Sequence, residues 1–133
     1  MKFEDKYFAD FNFSKEQVRS NFENAERDLD IANKDKILEV KFNYTYSAFL
    51  KSAIALISFY KKKIKSVPGH HIKIIEKTSE ILKDKSINDM GNLMRTKRNL
   101  DLYSGGIEVM QKECKEYMEF VVSVMKKIKK VIF

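Results

Sequence analysis

A single cysteine, Cys114, is all the thiol chemistry the 133-residue chain offers. Disulfide bonds within the chain are thereby excluded, and a reducing, cytoplasmic compartment is expected. Its neighbours are helix-forming, so Cys114 reads as a small core residue rather than a nucleophile. The opening MKFEDKYFADF is too acidic and too polar to read as a signal peptide. The most apolar run, Tyr46 to Tyr60, is 15 residues long and interrupted by Lys51. A spanning helix needs about 20 apolar residues, so a buried helix is expected here and no membrane partner. The chain has no P-loop, no dinucleotide glycine fingerprint, no Cys-x-x-Cys and no His-Glu-x-x-His. Metal binding would rest on His70, His71 and Cys114, and adjacent histidines at a helix start point about 100° apart. No metal and no cofactor are expected.

What the chain has is lysine. Of its 26 basic residues only four are arginine, and the formal net charge is +7. Residues 1–33 carry five Lys/Arg against eight Asp/Glu, a net of −3, whereas residues 34–133 carry 21 against 11, a net of +10. The length favours one domain over residues 1–133, an acidic leading segment with the first helix followed by a basic body. Such a field favours polyanions, RNA or DNA first and acidic protein surfaces second. A lysine-rich solvated surface accounts for the same composition without a ligand.

Proline occurs once and glycine four times, and helical periodicity fills the stretches between them with no alternating strand pattern. Ser14 opens S-K-E-Q, a capping box, and Val18, Phe22, Ala25, Leu29 and Ala32 follow on one helical face. A second helix over about 35–65 is apolar on most sides and is expected at the centre of the bundle. Pro68 and Gly69 end it. A third helix, His70 to Leu82, is predicted to bury Ile72, Ile75, Ser79 and Leu82. A fourth, Ile87 to Leu102, is weakened by Gly91 and stopped by Gly105 and Gly106. The closing helix keeps heptad spacing through Ile107, Met110, Cys114, Tyr117, Val121, Val124, Ile128 and Val131. The predicted fold is all-α, an up-and-down bundle of four to five helices.

Two lysine clusters, KKKIK (61–65) and KKIKK (126–130), are expected to close the second and last helices, where the macrodipole favours cations. Lys61, Lys62 and Lys63 also offer phosphate contacts that carry no sequence information. RTKRNLDLYSGG (95–106) is different, because Arg95, Arg98 and Asn99 share one turn and Asn99 and Tyr103 are an i, i+4 pair. A guanidinium binds phosphate oxygens bidentately, and an amide beside it holds a ribose hydroxyl or orients the arginine. Composition alone leaves a binding site and a basic helix cap equally open.

The stretches YSAFLKSAIALISFYKKK, GHHIKIIEKTSEIL and LMRTKRNLDLYSGG, with the long closing helix, resemble the HEPN superfamily of small helical toxin–antitoxin and defence proteins. The resemblance covers about residues 36–132 and centres on Arg98, Asn99 and Tyr103, preceded by Arg95. It implies a homodimer whose arginine motifs face each other across a basic RNA-binding cleft; the basic charge adds Lys97 and Lys61 to Lys63 as further RNA-binding candidates. Family activity is metal-independent RNA cleavage, the arginine holding phosphate and a histidine acting on the ribose 2′-hydroxyl. Here Tyr-Ser-Gly stands at 103–105, where that histidine is expected. Tyrosine, with a pKa near 10, is a poor base at pH 7; His70 or His71, from the third helix, is the alternative imidazole. The implied function is RNA binding, with Arg98, Asn99 and Tyr103 as the candidate catalytic set of a weakened endoribonuclease toxin. The other reading is a non-catalytic module that binds a protein, such as a nucleotidyltransferase-type antitoxin or a defence factor.

Overall fold

The computed structural model of the chain describes residues 1–103 and 109–133, with the backbone alone for 101–103. Five helices make up most of it: α1 (Lys15–Lys34), α2 (Leu38–Phe59), α3 (His70–Leu82), α4 (Lys85–Tyr103) and α5 (Gln111–Ile132). A two-stranded antiparallel ribbon joins β1 (Phe8–Asp10) to β2 (Lys62–Ile64), in the register Phe8 opposite Ile64 and Asp10 opposite Lys62. The fold is all-α with that small ribbon attached. The glycine pair expected to stop α4, and Ile107 at the head of the heptad, lie outside the described residues.

The predicted capping box starts α1. The Ser14 Oγ accepts the Gln17 N–H at 3.1 Å, and the Gln17 Oε1 accepts the Ser14 N–H at 2.8 Å. At the other end of α1, the Lys41 Nζ donates to the carbonyls of Ala32, Asn33 and Asp35, which would otherwise end the helix unpaired. Only residues 35–37 separate α1 from α2, so the two helices pack as a hairpin. As expected from its apolar girth, α2 is the central helix, buried by α1 on one side, α5 on another and the α3–α4 pair on a third. Three of its buried hydroxyls are satisfied within the helix: Thr45 donates to the Lys41 carbonyl, Ser52 to Phe49 and Ser58 to Ala55.

The second helix ends six residues earlier than its composition suggests. The N–H groups of Tyr60 and Lys61 turn back onto the carbonyls of Ile57 and Ser58, and Lys61 takes a left-handed φ of 60°. That turn, of a kind usually given to glycine, sends Lys62 to Ile64 out as a strand. KKKIK is therefore no helix terminus, and the macrodipole does not account for it. Three-residue strands are too short to print an alternating pattern, which is why the ribbon escapes a reading by periodicity.

The ribbon also changes the meaning of the acidic leading segment. Phe8 joins Ala53, Ile57 and Ile74 in a small second core, flanked by Phe3 and Tyr7. Asp10 then meets Lys62, Glu4 meets Lys73 at 3.0 Å, and the Asp5 carbonyl accepts from Lys65. The leading segment thus folds onto the basic body and neutralises part of it.

Two further expectations are corrected. Ile72 is 39% exposed, and α3 buries Ile74, Ile75, Lys77 and Thr78 instead. Gly91 stands where no larger residue fits, because a Cβ there would lie 2.7 Å from Ile75 Cγ2 and 3.0 Å from the Phe49 ring. That closeness lets α4 lie directly on α2 and α3. In α5 the stripe Cys114, Tyr117, Val121, Val124 and Ile128 is buried as expected, whereas Met110 and Val131 are exposed. The stripe faces α2 within the same chain, with the Phe42 and Tyr117 rings 5.6 Å apart, so the heptad is spent inside one subunit.

Candidate nucleic-acid interface

Residues 65–69 carry the chain from β2 into α3 and form the wall of a hollow. Gly69 supplies the turn with φ of 81° and caps α3, and no side chain caps the helix there. The first turn of α3, the positive end of its dipole, borders that hollow, and its His70 N–H donates to the Val67 carbonyl at 3.1 Å. Ser66, Val67, His70, His71 and Ile72 line it from this side, and Arg95 and Asn99 close it from α4, enclosing about 480 Å³. Residues separated by more than twenty positions in sequence, and singled out there for separate reasons, line one space.

The two histidines and Arg95 of the hollow are held. The His70 Nδ1 lies 2.8 Å from the Val67 carbonyl. A carbonyl only accepts, so Nδ1 carries the hydrogen and a neutral His70 keeps Nε2 as an acceptor. The Arg95 Nε donates to the Asn92 Oδ1 at 3.1 Å, and Asn92 is fixed by the Asn88 carbonyl at 2.8 Å. The His70 and His71 rings meet edge to face with centroids 4.4 Å apart, and His71 meets Tyr46 at 6.4 Å.

The charges of Arg95 and Arg98 reach both His71 and Tyr46. Burial lowers the His71 pKa from its ordinary 6.5, with His70, Arg98 and Arg95 adding to the effect. Burial pushes the Tyr46 phenol up to about 12 against the opposing pull of the same two arginines. Tyr46 is 3% exposed, and its hydroxyl has no hydrogen-bond partner among the described residues. A buried hydroxyl left so costs about 1–3 kcal/mol.

A pH dependence follows from His71. Because its folded pKa is depressed, the folded state holds fewer protons than the unfolded one between that value and 6.5. The stability it contributes is complete above 6.5 and is lost as pH falls through the folded pKa. NMR titration of the His71 imidazole should give a midpoint below 6.5 in the free protein. Inorganic phosphate should raise that midpoint, since an anion in the hollow offsets the arginine field. A midpoint at 6.5 that phosphate leaves alone would mean His71 does not share this field.

The remaining candidates distribute unevenly. Arg98 and Asn99 sit on the same α4 turn as Arg95, Arg98 half-buried and Asn99 exposed. Tyr103 is the last residue of α4, and its side chain lies outside the described residues. Lys97 turns away, its ammonium 2.6 Å from the Glu113 carboxylate of α5 and its side chain 18% exposed. Lys61 donates to Asn12, Lys62 pairs with Asp10, and Lys63 lies over the Phe11 ring. In the second cluster Lys127 binds Asp84 at 2.6 Å, and with Ser86 it holds that carboxyl down at about 2. No pattern in the sequence singles out Tyr46, one of two tyrosines in the apolar α2.

Among the described residues no three His, Cys, Asp or Glu side chains are grouped to hold a metal ion. Nor is any helix among them long and apolar enough to cross a membrane. No protein-family model, no curated protein and no solved structure gives a significant match to the chain.

Proposed function

We propose that this chain is a HEPN-like protein that binds single-stranded RNA, with one phosphate seated in the hollow between the start of α3 and Arg95. The observation that carries the reading is the convergence of Arg95, Asn99, His70 and His71 on one space, with the field of Arg98 reaching His71. Helix N–H groups and a guanidinium are the donors that phosphate oxygens take. His71, neutral at pH 7, is the imidazole able to accept a ribose 2′-hydroxyl proton there. The proposal therefore includes weak, metal-independent cleavage through His71 in place of the missing motif histidine.

A homodimer belongs to the same proposal, but it would not use the α5 heptad. The exposed leucines Leu93 and Leu100 lie two turns apart on α4, beside the arginines, and offer a second copy its contact. Light scattering with and without a short oligouridylate reads both claims. A mass near twice 15.7 kDa is expected, and RNA binding that weakens steeply with added salt as counterions are released. No binding at low salt would sink the RNA reading. The exposed leucines would then favour a module that docks a protein such as an antitoxin.

A further inference from the structure

A second hollow lies beside the first, and the two share Ser66, His70 and His71 as a common ridge. It encloses about 340 Å³ between the end of the ribbon, α1, α2 and α3, within the range of small-molecule sites. Its floor is aliphatic, from Leu50, Ile54 and Ile74, and Phe13 stands at its side with its ring 4.5 Å from Phe11. Asn21, whose Nδ2 donates to the Ser58 Oγ at 3.5 Å, and Lys63 supply an amide and a cation to its lining, and Lys63 has no acidic partner among the described residues. An aliphatic floor suits a flat apolar face, an aromatic wall suits stacking, and an amide suits the polar edge of a heterocycle. A fatty chain would not call for the amide or the cation, and a bare phosphate would not call for the floor.

We infer that this second hollow is a nucleobase subsite, so that one nucleotide of the bound strand lies across the histidine ridge with its base on Phe13 and its phosphate on Arg95. The inference rests on the RNA reading above and deepens it by naming where the base goes. It also assigns work to the leading segment, since Phe13 comes from the link between β1 and α1, and β1 positions it by pairing with β2. Recognition of this kind tolerates any base, because every base presents a π face.

Calorimetric titrations with uridine 5′-monophosphate, ribose 5-phosphate, inorganic phosphate and uridine test it. The wild-type chain should bind uridine 5′-monophosphate at least about fivefold more tightly than ribose 5-phosphate, the lower end of what stacking one base contributes. Phe13 also precedes the Ser14 cap, where an apolar residue packs on the first turn of α1, so Phe13→Leu is the informative change. It keeps the apolar contact and removes the π face. Ile54→Phe is independent of that segment and fills the hollow. Both variants should lose the preference for the base while keeping phosphate affinity and cooperative melting. A wild-type chain with no preference for the base, or variants that retain it, would overturn the subsite and leave the phosphate reading standing. Binding of uridine without any phosphate affinity would support the subsite and remove the phosphate reading. Absence of binding by all four probes would overturn both.

Discussion

Replacing Arg95 and Arg98 together by alanine should reduce RNA affinity by two orders of magnitude or more while leaving the bundle folded. A hydrogen bond to a charged group contributes about 1.5–3 kcal/mol, so each guanidinium accounts for roughly tenfold or more. The structural cost is small. Arg98 is half-buried and Arg95 makes one side-chain hydrogen bond, to Asn92, and changes of that kind usually stay within about 0.5 kcal/mol. Removing two like charges from beside His71 should also raise the imidazole pKa toward its ordinary value, because both arginines depress it. Lys97→Ala is the internal control. It breaks the contact with Glu113 between α4 and α5, so it should lower the melting temperature and leave affinity nearly unchanged. If the double arginine variant melts much earlier and binds RNA as before, the arginines belong to the fold and not to a site.

The contrast between Arg95 and Lys97 marks how far the sequence could be read. Both lie in one basic turn, and composition treats them alike, yet one lines the hollow and the other is spent on α5. Which way a charged side chain turns depends on the helix rotation, and here that is set by Gly91 seated against Phe49 and Ile75. No local pattern contains that information. The helices themselves were legible, because each prints its period over many residues: the Ser14 cap, the apolar girth of α2 and the α5 stripe all stand where their spacing puts them. The ribbon was not legible, since its three-residue strands join positions more than fifty residues apart. Much of the site depends on the same kind of long-range closure. His70 and His71 were visible as candidates, but their meeting with Arg95 follows from α3 and α4 packing together on α2.

Lys51 provides the largest stability effect expected outside the core. In the sequence it interrupts an apolar run; in the fold its ammonium lies 2.8 Å from the Asp28 carboxylate of α1, which also accepts a hydrogen bond from Ser47 at 2.6 Å. The two ends are unequal, with the Asp28 side chain 4% exposed and the Lys51 side chain 40% exposed. Breaking a fully buried pair costs about 3–5 kcal/mol, because one charge is left without compensation. Solvent screening at the lysine end lowers that, so Lys51→Met should cost about 2–3 kcal/mol. In a chain of this size the melting temperature should fall by roughly 10 °C. Asp28→Asn should cost less, since the freed lysine can turn to water and the amide still accepts from Ser47. Combining the two changes should recover part of the Lys51→Met loss, as the buried charge is then gone with its partner. Urea denaturation of the wild type, both single variants and the double variant measures that coupling. Strictly additive losses would mean that Lys51 acts through the packing of its aliphatic stem, and that Asp28 does not depend on it.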